Sequence, residues 1–198
     1  MRNKLSFTIV FLIFSTLLIT VVCNAFVVMT KEEALKQVFF TGAEIEIETQ
    51  KLSGETLAKI EKRLGGSLVY LQEGSESKKV EGKHQIDFYF AKKNGERKGV
   101  AIIDTEPGKW GPVEFITAMD IKGTVKSVRV LSYQEIRGRP IARASFMNQY
   151  RGKTSSSFLT VGKDIIGISG ATISSRAATF TVKKAIVIYD EVYLKAKK

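Results

Sequence analysis

Cysteine and histidine each occur once in these 198 residues, at Cys23 and His84. One cysteine cannot close a disulfide within the chain. Nor can it build a thiolate zinc or iron–sulfur site, or the Cys-x-x-Cys-His motif that attaches haem. With His84 alone, no nucleophile–base–orienter set can be assembled, so no catalytic residue and no metal ligand is assigned. Redox chemistry in this chain requires an organic cofactor. What is present is an apolar share of 44% and a charged share of 26%. That is enough for one cored domain, or one domain with a small appendage, and it excludes a disordered or collagenous chain.

Charge is absent from Leu5 to Thr30, directly after Arg2 and Lys4. Such a run reads as an export signal, and Cys23-Asn24-Ala25 places small residues at minus three and minus one of a cleavage after Ala25. A lipid anchor at Cys23 fits less well, because Val22 stands where that motif wants a small residue. The run also exceeds the roughly 20 residues that span a bilayer, so an uncleaved anchor is the rival reading. Both place residues 26–198 outside the cytoplasm, periplasmic or at the cell surface, with Arg2 and Lys4 kept inside.

Acidic residues are the minority, with 20 against 31 Lys and Arg and a net charge of +11. Without Arg2 and Lys4 the exported part keeps a net charge of +9. No helix-turn-helix, zinc finger or ribonucleoprotein strand motif accompanies this charge, so nucleic acid is not an expected partner. The groups Lys59, Lys62 and Arg63, Lys92, Lys93, Arg97 and Lys98, and Lys195, Lys197 and Lys198 read as solvated faces. The alternative is attraction toward anionic lipid or acidic proteins.

Thr30 followed by Glu33 is a capping box and predicts a helix from Lys31 to about Phe40. Ile45 and Ile47 alternating with glutamates predict a half-buried strand over 43–49. Leu57, Ile60 and Leu64 then predict a helix stopped by Gly65-Gly66. This N-terminal α/β lobe covers 26–80, with a polar loop over 74–83. From Gln85 strands take over: 85–93, a hairpin turn at Asn94-Gly95, then 100–103, 113–119 and 125–133, joined by short antiparallel connections. Residues 141–150 read as helical and 152–160 as a loop. The final helix runs from Ser174 to about Leu194, on the spacing of Ala178, Val182, Ala185, Ile186 and Tyr189. The sum is an α+β fold, an antiparallel sheet packed with helices, with a second unit over 81–198.

The segment 165–176 is a strand-like apolar run, a turn of small residues and the start of the longest helix. Free amides and a helix dipole converge there and suit a phosphate. Gly170 and Ala171 admit close approach to the backbone, Thr172 and Ser174 offer hydroxyls, and Arg176 adds charge. The plain alternative is an ordinary helix cap.

Ser169-Gly170-Ala171-Thr172, one residue, then Ser174 resembles the flavinylation signature of the FMN-binding domain family. That family includes flavin subunits of sodium-pumping NADH:quinone reductase and of Rnf complexes, and the flavin domain of the nitrous oxide reduction regulator. The resemblance extends to Gly108-Lys109-Trp110-Gly111-Pro112, to Val128–Leu131 with Tyr133, Glu135, Arg137 and Gly138, and to Phe146, Gln149, Tyr150, Gly152 and Lys153. It covers about residues 85–190. One position departs from the pattern: Ile166 stands where the family often has an acid, and Asp164 lies two residues earlier.

The resemblance implies FMN joined through its phosphate to the Thr172 hydroxyl by a flavin transferase outside the cytoplasm. Ser169, Gly170, Ala171 and Ser174 would shape the phosphate turn. Trp110, Tyr133 and Phe146 would neighbour the ring or simply pack in the core. Glu135, near Gly138, would bond the flavin edge or pair with Arg137 or Arg139. Lys153 would balance the anionic reduced flavin or be merely exposed. The implied function is an electron carrier between a membrane redox donor and an exported acceptor. The alternative is a non-redox binding or sensing module of the same fold, holding FMN loosely or not at all.

Overall fold

The computed structural model describes residues 26–68, 85–109, 111–133 and 139–196. The N-terminal run before Phe26, Cys23, the loop 74–83, His84, Trp110, Glu135 and Gly138 lie outside the described residues. No helix among the described residues is long and apolar enough to cross a membrane.

Thr30 accepts the Glu33 amide while Glu33 returns a bond to the Thr30 amide, so α1 (Lys31–Val38) starts at the predicted capping box. Strand β1 (Phe26–Val27) precedes it. After β2 (Glu44–Lys51), α2 (Gly54–Leu64) ends where the amides of Gly65 and Gly66 both bond the Glu61 carbonyl, with Gly65 left-handed at φ 81°. Between β3 (Gln85–Lys93) and β4 (Glu96–Pro107), Asn94 and Gly95 both take positive φ, 53° and 78°. A two-residue hairpin whose twist matches its strands requires that conformation. Strands β5 (Pro112–Asp120) and β6 (Val125–Tyr133) are joined by a turn in which the Asp120 carboxylate accepts the amides of Lys122 and Thr124 at 3.0 and 2.9 Å.

The strands form one antiparallel sheet in the order β1-β6-β5-β4-β3-β2. Residues 26–51 thus supply both edges of the sheet whose centre is 85–133. Alternation divides its side chains between two faces. Phe88, Phe90, Val100, Ile102 and Phe115 meet α2 and the long helix α4 (Thr172–Tyr189). Tyr89, Ala101, Ile116 and Ala118 meet α1. The α+β architecture with a long C-terminal helix is therefore present.

Three local expectations change. Helix α4 begins at Thr172 and passes at Asp190–Leu194 into a π-helical turn closed by the Lys195 amide on the Asp190 carbonyl. The predicted helix over 141–150 breaks into a 3₁₀ turn, the single-turn α3 (Ala144–Met147) and a second 3₁₀ turn. The backbone of Arg143 is extended there, at φ −68° and ψ 136°, which interrupts the ladder. The apolar run from Ile165 is not a strand: it makes one isolated bridge, Val161 to Ile165. Its amide and carbonyl at Ile166 are instead taken by the Gln149 carboxamide, at 2.8 and 3.2 Å.

Candidate functional site

The turn before α4 is built from the expected residues. Ser169 and Gly170 are exposed, and Gly170 is left-handed at φ 77° with open space where a Cβ would stand. The Ala171 amide closes the turn on the Ile168 carbonyl at 3.0 Å. The helix cap falls on Ala171, which carries no side-chain acceptor, so an ordinary serine or threonine cap is not what this segment forms. Thr172 occupies the first helical position with its side chain exposed. The first bond of the ladder runs from the Ser175 amide to the Ala171 carbonyl at 2.9 Å, so the amides of Thr172 and Ile173 stand ahead of it. Ser174 is buried, turned away from the exposed face. Arg176 is exposed one helical turn beyond Thr172, on the same face.

The support beneath this turn was not assigned from the sequence. Ser175, fully buried, donates its hydroxyl to the Ala171 carbonyl at 2.9 Å and accepts the Ile168 amide at 3.0 Å, tying both sides of the turn to the helix. One turn on, Thr179 donates to the Ser175 carbonyl at 2.7 Å, and its oxygen lies 2.9 Å from the Tyr150 hydroxyl. Because the Thr179 proton is already used, Tyr150 is the donor. Burial raises the Tyr150 phenol above its ordinary value, so it remains a protonated donor. The spacing of Ser175 and Thr179 on one helical face was the only sequence signal for this chain of bonds.

Lys153 is half-buried, with its ammonium 2.9 Å from Asp164. Asp164 also accepts the amides of Leu159 and Thr160 at 3.1 and 2.9 Å, so it closes the 159–164 loop. Burial raises the Asp164 carboxyl, but the Thr160 amide, Lys153 and the Leu159 amide together hold it below its ordinary value. Lys153 is therefore engaged in holding a loop. Tyr133 packs against Phe26 with ring centroids 5.4 Å apart, and Phe146 meets Tyr150 edge-on at 5.7 Å. Both rings are core residues. A groove of about 740 Å³ between α1 and β2, lined by Leu35, Phe39, Ile45, Ile47 and Tyr89 among others, contains none of the predicted site residues.

Residues 108–187 match the model of the FMN-binding domain. This stretch of the chain belongs to the FMN-binding domain family. The G-type subunit of the proton-translocating ferredoxin:NAD(+) oxidoreductase complex of Clostridium ljungdahlii is 30% identical over 126 residues, 60% of this chain and 66% of that protein. The G-type subunit of the ion-translocating oxidoreductase complex of Aliivibrio fischeri is 34% identical over 119 residues, 54% of this chain and 57% of that one. The chain thus spans between half and two thirds of the length of these relatives. The crystal structure of the C-type subunit of Na(+)-translocating NADH-quinone reductase from Parabacteroides distasonis superposes with a TM-score of 0.50, over 81% of this chain and 84% of that one. At 18% identity it establishes the shared fold.

The cofactor of the FMN-binding domain is FMN, and the turn fits its phosphate end. An exposed hydroxyl, two amides ahead of the helical ladder, the positive end of a helix about 27 Å long and the open side of Gly170 converge on one surface point. Residues 165–176 contain no Asp, Glu or His, so no carboxylate of this segment opposes an anion there.

Proposed function

We propose that this chain is an electron-carrying flavoprotein that holds FMN through a phosphoester to Thr172 and works outside the cytoplasm with membrane redox partners. The observation that carries the reading is the exposed hydroxyl of Thr172 at the first position of α4, beside Gly170 and over a turn fixed by Ser175. Bound there, FMN supplies one- and two-electron redox chemistry. The chain supplies the rest. The amides of Thr172 and Ile173 and the dipole of α4 stabilise the phosphate, and Arg176 adds a cation on the same face. Ser175 and Thr179 keep the turn from shifting.

No side chain in 165–176 can take the Thr172 proton, and Asp164 is committed to Lys153 and two amides. On this reading the flavin transferase supplies the base. Attachment through the phosphate leaves the ring free for electron exchange and prevents loss of the cofactor outside the cell. The uncharged run ahead of Phe26 supports export, either as a cleaved signal or as an anchor. The relatives named above are subunits of ion-translocating oxidoreductase complexes, which supports a membrane donor and a second redox partner.

The deciding experiment is mass spectrometry of the peptide spanning Thr172, from protein exported alongside a transferase active on a control substrate. The FMN adduct is expected in the parent and absent from Thr172→Ala. An unmodified parent mass overturns covalent attachment and leaves the non-redox module of the same fold. Ile166→Asp should raise the labelled fraction if the transferase reads an acid at that position.

A further inference from the structure

Between residues 139 and 183 the chain has seven Lys and Arg and a single acid, Asp164. Lys153 already neutralises that acid. Elsewhere several cations are matched. Lys92 and Arg97 pair with Glu46, Arg97 also with Glu48, Arg63 with Asp190 and Glu191, and Lys184 with Asp104 and Glu106. Arg143, Arg151, Lys163 and Arg176 are all exposed, and among the described residues no carboxylate pairs with any of them. Four exposed cations without a carboxylate partner, against one neutralised acid, therefore lie in the segments that lead into and out of the flavin-attachment turn.

The two most exposed large apolar side chains among the described residues stand in the same region, Ile166 at 79% and Phe158 at 73%. Neither rides on a loose segment. Gln149 clamps the backbone of Ile166 on both sides, Asp164 bonds the amide that follows Phe158, and the Lys163 ammonium lies 5.8 Å from the Phe158 ring. An isolated exposed apolar side chain is ordinary. Two held rigidly, with the unpaired Lys163 beside one of them and Arg143, Arg151 and Arg176 exposed on neighbouring segments, offer the apolar centre and charged rim of a protein interface.

The strand β6 argues for a protein rather than a bilayer as the occupant. Phe26, where the uncharged N-terminal run joins the fold, pairs with Tyr133 at one end of β6. Val125, at the other end, bonds the backbones of Gly152 and Lys153 at 2.8 and 2.9 Å. These ends are roughly 26 Å apart. Phe26, where the uncharged run ends in the sequence, therefore stands at the opposite end of β6 from Gly152 and Lys153.

We propose that the face bearing Phe158 and Ile166, rimmed by Arg143, Arg151, Lys163 and Arg176, docks an acidic electron-transfer protein next to the flavin. The inference rests on the flavoprotein reading above for the electron transfer, while the docking surface itself is independent of the flavin.

The test uses the full exported chain and two probes, acidic copper(II) plastocyanin and basic ferric cytochrome c. In stopped flow, the reduced protein loses two electrons singly to two copper centres, and its ring protons pass to solvent. Oxidation by plastocyanin should slow about tenfold from low to physiological salt, while oxidation by cytochrome c should quicken. Arg151→Glu with Lys163→Glu should lower the plastocyanin rate about tenfold, and Phe158→Ser should lower it severalfold. Reoxidation by dioxygen should be unchanged in all of them. Lys36→Glu with Lys62→Glu makes the same change in net charge elsewhere and should retain most of the plastocyanin rate. Binding of flavin-free protein to immobilised plastocyanin should show the same order of variants, so a protein that fails to acquire flavin refutes the carrier reading without touching the surface. Equal losses in both double variants, or no loss in Arg151→Glu with Lys163→Glu, overturn the proposal. So does a double variant that loses adsorption to phosphatidylglycerol vesicles yet keeps the plastocyanin rate, which makes the face a lipid surface.

Discussion

Replacing Ser175 by alanine removes one oxygen from a fully buried site and leaves Thr172 untouched. The hydroxyl makes two bonds, to the Ala171 carbonyl at 2.9 Å and from the Ile168 amide at 3.0 Å. Ala171 retains its ladder bond from the Ser175 amide, so its carbonyl is not orphaned. The Ile168 amide loses its acceptor in a half-buried position, at a cost of about 1–3 kcal/mol. Alanine recovers about 0.5 kcal/mol in helix propensity, and back-bonding serines are mildly unfavourable within helices. The net loss is therefore about 1–2 kcal/mol. Urea unfolding followed by far-UV circular dichroism measures it, with Thr172→Ala as the exposed comparison, expected within about 0.5 kcal/mol of the parent. If the loss falls on the turn, the ratio of correctly placed to displaced Thr172 hydroxyl drops about five- to thirtyfold. Initial flavin labelling at limiting transferase should fall, by at most a similar factor. A Ser175→Ala protein with parental stability and labelling rate would refute the claim that this hydroxyl positions the attachment turn.

Lys184→Met should destabilise the fold by about 3–5 kcal/mol in urea, because Glu106, only 1% exposed, and Asp104 at 2.5 Å lose their shared cation. Burial lowers the Lys184 ammonium, but Asp104 and Glu106 more than compensate and raise it above its ordinary 10.5. Its contribution is therefore complete below that pH and is lost as pH rises through the higher folded value, which alkaline unfolding of the parent against Lys184→Met will show. Asp164 has the opposite sign: its lowered carboxyl stabilises the loop above its ordinary 3.8, and that contribution fades as pH falls through the folded value. Asp164→Asn should remove this acid dependence in amide exchange at Leu159 and Thr160. Gly170→Ala should cost about 1–2 kcal/mol from backbone strain alone, since a Cβ there meets nothing within 4 Å. Gly167→Ala should cost about 1–3 kcal/mol for a different reason: its Cβ would lie 2.8 Å from Val161, so Val161→Ala should rescue it in a double-mutant cycle.

Interactions between residues close in sequence were legible from the start. The Thr30–Glu33 capping box, the Asn94-Gly95 hairpin and the Gly65 stop each depend on a few consecutive residues and occur where the pattern puts them, whereas the alternation of β2 marked the strand but not its faces: Ile45 and Ile47 are exposed, and Glu46 and Glu48 are half-buried against Arg97. The turn Ser169–Thr172 belongs to the same class, because small residues before an apolar helical repeat specify it locally. Folding decided what that turn rests on and what surrounds it. Gln149 substitutes for a neighbouring strand at Ile166 from 17 residues away, Lys153 finds Asp164, and Tyr150 reaches Thr179. The fold also matched Lys92, Arg97 and Lys184 with glutamates and aspartates distant in sequence, and among the described residues left Arg143, Arg151, Lys163 and Arg176 without a carboxylate partner. A capping box or a two-residue turn is fixed by backbone geometry within a few residues. The partner of a buried hydroxyl or an ammonium is chosen by which distant groups the packed sheet and helix bring within about 3 Å.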